Sequence, residues 1–534
     1  MTTAAQAIDQ LNPQKWAETT ISERLALLQD IRENLKTYGD ELASSDTEMK
    51  NALMGEALFT DAMSKVSTVV PVANTVTASI DLYEGLKQGR MIQPGKIEEV
   101  SNGLWDITVK RPSATERAMY GANQEILRVK GRPQQINPLD KPAKIIAVLG
   151  AGNYSSALEI ITALFLENCV VVHKAHHLNQ STDRIWERVL APLVEHNALS
   201  FADHDQGPEL TKDARISKIY FTGGTGTAQA ILAATDAELV SECGGNNPCI
   251  IVPGDRPWSQ KEIDHQAQMI VSVGKLNGGA VCGRPQTLVT SKHWAQREAF
   301  LSAIRKAILE ETPAAGTYYP GSDKVREGFM SAYPNAEVLK PESGRFQSAD
   351  VILIAGVEEV SYATANEAFC QIFDEVALDA PGNAAEFLPA AVKFANEKLL
   401  GTLSSSILID EDTKKAHQSV VDRAVTNLEY GAVAVNEMPP NIWLSPYLTW
   451  SGNEEGKTFV SGNGNFGNAM NFQNVEKSIL IGSFMSPGHM IIRNKAAFDT
   501  LALGMARFSV EPGWINLIRL MSGAITGSFK KRDF

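Results

Sequence analysis

The sequence predicts an α/β protein built on parallel sheet. Three observations carry this: short apolar, β-branched runs, glycine-rich turns that follow two of them, and amphipathic helical stretches in between. Ile145-Ile146-Ala147-Val148-Leu149 reads as a strand buried on both faces. Gly150-Ala151-Gly152-Asn153 is its turn, and Ser155 or Ser156 suits the cap of a helix over 157–167. The run from Cys169 to His173 forms the next strand and leads into Lys174. A third strand, Ile216 to Phe221, ends in Thr222-Gly223-Gly224-Thr225-Gly226-Thr227, with a helix expected from about Ala228. Such alternation implies right-handed crossovers and ligand binding at the carboxyl ends of the strands, where both glycine turns fall.

The first third is expected to be mostly helical. Apolar residues recur at three- and four-residue spacing from Ser22 to Ile31, with Thr20 or Ser22 as the cap. Gln93-Pro94-Gly95-Lys96 breaks that pattern, and a loop-like stretch runs from Gly131 to Pro142. Beyond Cys282, strands are expected at 351–355, 403–410 and 431–436, and a glycine and asparagine loop at 461–468. The C-terminal segment is basic: Arg493, Lys495, Arg507, Arg519, Lys530, Lys531 and Arg532 outnumber Asp499, Glu511 and Asp533. Trp514, Leu517, Ile518 and Met521 sit there at helical spacing, which suits a packing or subunit-contact helix and, as an alternative, contact with a membrane surface.

The chain has 534 residues, too many for one ordinary core, so two or three domains are expected. Its 44% hydrophobic and 21% charged content is that of a globular protein. A net charge of −13 argues against nucleic-acid binding, which needs a basic face. The five cysteines are scattered and odd in number, pointing to free thiols and a reducing, cytoplasmic setting rather than a disulfide framework. No signal peptide and no transmembrane helix are expected.

The chemistry concentrates in two blocks, Ser241-Glu242-Cys243-Gly244-Gly245 and Asn277-Gly278-Gly279-Ala280-Val281-Cys282. A thiol can attack a carbonyl, and a carboxylate can activate the water that releases the product. Small residues around Cys282 let backbone and substrate approach closely. Cys169 and Cys249 lie in apolar runs and read as buried small hydrophobes. Gly150-Ala151-Gly152 suits either a tight turn or a phosphate cradle, since Ser155 stands where the fingerprint's third glycine would be, and Gly223-Gly224-Thr225 carries a similar weight. Lys174 is placed at the ligand edge of the sheet. His173, His176 and His177 lack acidic or thiol companions at ligand spacing, so no metal is expected.

These blocks resemble the aldehyde dehydrogenase superfamily, in order and spacing, over nearly the whole chain. The family's Glu-Leu-Gly-Gly block is matched by Glu242-Cys243-Gly244-Gly245, its Asn-x-Gly-x-x-Cys block by Asn277 to Cys282, and its Phe-Thr-Gly-Ser-Thr block by Phe221-Thr222-Gly223-Gly224-Thr225. The strand ending in the cofactor lysine is matched by Val170 to Lys174, and the asparagine of the Trp-Asn-Phe-Pro turn by Asn153. The resemblance implies two Rossmann-like parallel-sheet domains plus a small oligomerisation element. Residues 1–241 would carry N-terminal helices and the NAD(P)-binding domain, 242–440 the catalytic domain, and 441–534 a return to the cofactor domain with a basic extension. It further implies Cys282 as nucleophile, Asn153 and the Cys282 N–H as oxyanion donors, and Glu242 as the base that hydrolyses a Cys282 thioester. A homodimer or homotetramer acting on a small aldehyde is the implied assembly.

Two positions depart from the family pattern. Gln371-Ile372-Phe373 is placed at the family's Glu-x-Phe element, which holds the nicotinamide ribose. His177 stands where NAD-preferring members often carry glutamate, so NAD or NADP is expected as cofactor. A coenzyme A-dependent acylating enzyme is the alternative activity, and a non-catalytic binding protein is the alternative from another class. Glu242 counts against the first, and the joint presence of Cys282, Glu242, Asn153 and Lys174 against the second.

Overall fold

In the computed structural model, which describes residues 2–101, 103–456, 458–486 and 495–528, the chain opens with helices. The principal ones are α1 (Ile21–Met54), α2 (Asp61–Ser67) and α3 (Val69–Lys87). Thr20 caps α1 in a reciprocal arrangement with Glu23, and Gly55 closes it in the left-handed region. The buried Arg24 guanidinium lies 4.1 Å over the Trp16 ring and donates to the Trp16 carbonyl, Tyr83 Oη and Asn168 Oδ1, tying α1 to α3 and to the first sheet's approach.

The N-terminal third is not helical throughout. An antiparallel meander of β1 (Ile97–Ser101), β2 (Leu104–Thr108) and β3 (Gln124–Lys130) follows α3. Its edge strand is exposed and carries Glu98 and Glu99, so it lacks the apolar alternation that reveals a half-buried strand.

The first sheet comprises β4 (Ile145–Leu149), β5 (Val170–Lys174), β6 (Leu199–Ala202), β7 (Ile216–Thr222) and β8 (Glu238–Glu242). Its order is β6-β5-β4-β7-β8, all parallel. The order reverses between β4 and β7, which opens a crevice at their carboxyl ends. Helix α4 (Ala157–Phe165) follows the first glycine turn. Helix α5 (Thr225–Ala234) follows the second and begins three residues before the position expected from sequence, because Gly224 is already its extended N-cap.

The chain then crosses to a second sheet through β9 (Pro248–Ile251), after which come α6 (Gln260–Lys275), β10 (Thr287–Ser291), β11 (Glu337–Leu339), β12 (Val351–Ile354), β13 (Ile372–Leu378), β14 (Ser404–Leu408), β15 (Ala432–Val435) and β16 (Val475–Ile481). The order is β1-β2-β3-β16-β15-β14-β9-β10-β13-β12-β11, with parallel pairing from β16 to β12. The meander therefore prolongs this sheet through an antiparallel β3–β16 pair.

The segment beyond 441 divides its loyalties. Phe459, Phe466 and Phe472 join the core of the first sheet, whereas β16 joins the second. The C-terminal helices α7 (Lys495–Val510) and α8 (Trp514–Ser528) pack on each other, and α7 lies on α2 and α3. Leu517 and Leu520 of α8 face inward to Phe508, but Trp514, Ile518 and Met521 form an exposed stripe at i, i+4, i+7. The four residues expected to share a packing face thus belong to two faces. Arg493 and the basic cluster 530–532 lie outside the described residues. Among the described residues, no helix is long and apolar enough to cross a membrane, and no cluster of three His, Cys, Asp or Glu side chains could hold a metal.

The glycine and asparagine loop fixes the end of β8. The Ser241 N–H donates to the Asn463 carbonyl and the Cys243 N–H to the Ser461 carbonyl, at 2.9 and 3.0 Å. Between them Gly462 has φ +103°, and a Cβ there would lie 2.0 Å from the Ser241 carbonyl oxygen. Gly456 also has positive φ but faces open space. Gly462→Ala is expected to cost about 2 kcal/mol or more, and Gly456→Ala about 1 kcal/mol, in thermal denaturation. Equal costs for the two would contradict this role for Gly462.

Candidate active site

Cys282 sits on a loop whose shape is set by three consecutive left-handed residues after α6. Asn277, Gly278 and Gly279 have φ of 50°, 64° and 83°. Side chains are excluded at both glycines, since a Cβ would lie 2.1 Å from the Gly316 carbonyl oxygen and 2.5 Å from the Cys370 carbonyl carbon. The turn is held by amides. Asn277 Nδ2 donates to the carbonyls of Asn153 and Ala280, at 3.0 and 3.1 Å, and Asn247 Nδ2 donates to those of Cys282 and Arg284, at 2.6 and 3.0 Å. Asn153, at the end of β4, donates from Nδ2 to the Ala280 carbonyl at 3.1 Å, which leaves its second N–H available. Asn153 and Cys282 line one cavity of about 390 Å³.

Glu242 is the last residue of β8, where the chain leaves the first sheet for the second. It is buried beside Cys282 and Trp450, and its Oε1 has no hydrogen-bond partner. Burial pushes its carboxyl up to about 7, while the neighbouring thiol and indole pull it back. The Cys282 thiol is held well above the ordinary thiol range by burial and by the negative Glu242. The resting pair is therefore a protonated thiol beside a carboxyl poised near neutrality. Trp450 closes over Gly283, where a Cβ would lie 2.6 Å from the indole.

Two further carboxyls near this pair escaped the sequence reading. Glu159 of α4 accepts a hydrogen bond from the Tyr154 hydroxyl, and burial raises it to about 7. It shares with Glu242, Thr222 and Trp450 the lining of a void of about 20 Å³, room for a single water. Glu367 is raised to about 7 by burial, against the pull of the Gly245 amide and of Arg284. Its carboxylate lies against Gly244, where a Cβ would be 2.0 Å away, so a side chain there would displace the Glu367 carboxylate.

Gln371 and Phe373, expected at the nicotinamide ribose, are both engaged in the interior. Gln371 is fully buried and donates to the carbonyls of Ala315 and Ser348 and to Thr317 Oγ1. Phe373, in β13, is buried in the second sheet's core under Arg284 and against Gly274. Neither lines the cavity that Cys282 faces. Glu367-Ala368-Phe369 lies four residues earlier in sequence with the same Glu-x-Phe spacing, and it leads directly into β13.

The other expected cofactor residues gather at the crevice of the first sheet. Lys174 ends β5 half-buried, its pKa lowered by burial, with no hydrogen-bond partner among the described residues. Gly223 and Gly224 precede the α5 N-terminus, and a Cβ at Gly224 would meet nothing within 4 Å. The Thr225 hydroxyl is already committed to the Val460 carbonyl at 2.6 Å. His177 is exposed, stacked on His176 at 4.1 Å. The first glycine turn is largely self-satisfied: the Gly150 N–H donates to the Lys174 carbonyl, the Ala151 N–H to Ser156 Oγ, and His176 and Tyr319 crowd Gly152. Its amides suit a tight turn better than a phosphate cradle.

Comparison with known proteins agrees with this architecture. A sequence profile described as the aldehyde dehydrogenase family matches residues 140–314, the stretch that carries Asn153, Lys174, Gly223, Glu242 and Cys282. An indole-3-acetaldehyde dehydrogenase solved with NAD+ superposes with a TM-score of 0.63 at 15% identity, covering 90% of this chain and 88% of that one. An NADP-dependent glyceraldehyde-3-phosphate dehydrogenase from Bacillus halodurans C-125, solved with NADP, gives 0.61 at 15% identity, covering 90% of each. An NAD-dependent aldehyde dehydrogenase from Sinorhizobium meliloti gives 0.60 at 16% identity, covering 89% of this chain and 84% of that one. Residues 140–314, which carry the thiol, the carboxylate and both glycine turns, thus match the aldehyde dehydrogenase family profile, and the chain shares the fold of these dehydrogenases over about nine-tenths of its length.

Proposed function

We propose that this protein oxidises an aldehyde to a carboxylic acid with NAD or NADP as hydride acceptor. The observation that carries the reading is the Glu242 carboxyl beside the Cys282 thiol, with the Asn153 amide on the same cavity wall as that thiol. Cys282 loses its proton to solvent, and the thiolate adds to the aldehyde carbon. The spare N–H of Asn153 and the Cys282 backbone N–H hold the oxyanion where charge develops. A nicotinamide held at the first sheet's crevice would supply the hydride acceptor that this oxidation needs, and Cys282 would then hold the acyl group as a thioester. Glu242 then takes a proton from water as the water attacks the thioester carbonyl, releasing the acid and the thiol.

The crevice of the first sheet fits the cofactor. Lys174 offers an ammonium with no hydrogen-bond partner among the described residues, the turn, open at Gly224, presents the N-terminal amides of α5, and Glu367 offers a carboxylate for ribose hydroxyls. His177 at the rim supplies no carboxylate to repel a 2′-phosphate, which supports NAD and NADP alike.

Cys282→Ala is expected to lower aldehyde-dependent cofactor reduction by at least about 10³-fold. Glu242→Gln should cut steady-state turnover by about 10²- to 10³-fold. Undiminished steady-state turnover in either variant, or a strict requirement for coenzyme A in the wild type, would overturn the reading.

The pH profile follows from the direction of the Glu242 shift. A base with a carboxyl pKa of about 7 is spent by protonation below that value, so turnover should fall as pH drops through about 7 and level off above it. A rate independent of pH between about 5 and 8, around that same pKa, would contradict Glu242 as the base.

A further inference from the structure

The 390 Å³ cavity, hereafter the tunnel, has Asn153 and Cys282 on its wall and is otherwise largely apolar, with side chains such as Phe59 and Met269. Its roof is α7, through Phe498, Leu501, Ala502 and Met505. That helix lies far outside residues 140–314, so the roof belongs to a part of the chain that the family profile does not reach. The charged groups on the wall are already engaged. Lys50 is ion-paired with Asp46 at 2.5 Å, both fully buried; Glu437 accepts from Asn123 and Asn441 at 2.8 Å each; and Lys275 donates to Thr312. Among the described residues no arginine lines this cavity and both lysines are engaged, so a phosphate or carboxylate on the substrate tail would enter it at a high desolvation cost. A hydrocarbon tail, by contrast, gains from every methylene buried.

We infer that the substrate is an uncharged aldehyde with a hydrocarbon tail, and that the α7 roof, Ala502 and Leu501 above all, sets the tail length accepted. Ala502 is buried at the roof with only a methyl group, and Leu501 is half-buried beside it, so the two differ in how much larger a side chain they tolerate. This inference rests on the proposed role of Cys282 in aldehyde oxidation, and its test separates the two.

With propanal, hexanal and decanal, kcat/KM of the wild type should rise about fourfold per added methylene until the tunnel is filled, the fold-change equivalent to ~0.8 kcal/mol of apolar transfer. Glyceraldehyde 3-phosphate should be at least about 100-fold poorer than hexanal, as expected for a charged group left without a partner. Ala502→Phe should lower kcat/KM for decanal more than about tenfold, about two methylenes' worth of lost burial, while propanal stays within about threefold. If that variant does not fold, Leu501→Phe serves the same comparison. In parallel, calorimetric titration of the Cys282→Ala protein with decan-1-ol and propan-1-ol reads the tunnel without catalysis. Tighter binding of decan-1-ol, lost in the roof variants, supports the inference even if no aldehyde is oxidised. Aldehyde oxidation with no chain-length preference, or a preference for glyceraldehyde 3-phosphate, overturns it and leaves the proposed reaction standing.

Discussion

The structure turns on the burial of one carboxyl against one thiol at the seam between two sheets. Glu242 is the terminal residue of a strand in the first sheet, and Cys282 lies on a loop of the second. Bringing them together requires backbones to pass closer than side chains permit, which is why glycine stands at 278 and 279 behind the Cys282 loop and at 462 against β8. Glycines at 244 and 283 leave room for the side chains of Glu367 and Trp450. The same seam explains the amide clamps. Asn247, Asn277 and Asn153 fix carbonyls on both sides, so the loop is held by hydrogen bonds where packing alone would leave it free to shift.

Electrostatics at the seam favours protonated forms. Glu242, Glu159 and Glu367 are each raised to about 7, chiefly by burial, with Arg284 as the nearby cation for Glu367. A carboxyl raised above its unfolded value of about 4.3 adds to stability below that value and loses the contribution as pH rises through about 7. The site thus gives up stability at the pH where its base is ionised and able to act. Such a compromise is expected where buried groups serve chemistry rather than packing.

Much of this was legible in the sequence. The strands at 145–149, 170–174 and 216–222, the two glycine turns and the cap at Thr20 follow from local pattern, because parallel buried strands and helix caps are local signals. What failed was non-local. The β1–β3 meander is exposed and charged, so its strand character rests on pairing with β16 rather than on its own periodicity. Gln371 and Glu367 stand four residues apart, and only the start of β13 at Ile372 decides which of two Glu-x-Phe-like registers reaches the Gly244 turn. The part played by α7 was invisible for a similar reason: Phe498, Leu501, Ala502 and Met505 read as an ordinary apolar face until the fold returns them over Cys282. Glu159 lacked any motif and became visible only through its burial beside Glu242.

The central claim, that Cys282 carries the acyl group and Glu242 removes it, is tested most directly by intact-protein and peptide mass spectrometry. The Glu242→Gln protein would be mixed with hexanal and oxidised cofactor, quenched in acid and digested. The account predicts a hexanoyl mass increment on the peptide containing Cys282, absent when cofactor is omitted and absent from the Cys282→Ala protein. An unmodified Cys282 peptide after a full equivalent of cofactor has been reduced, or the acyl group on another residue, would contradict it.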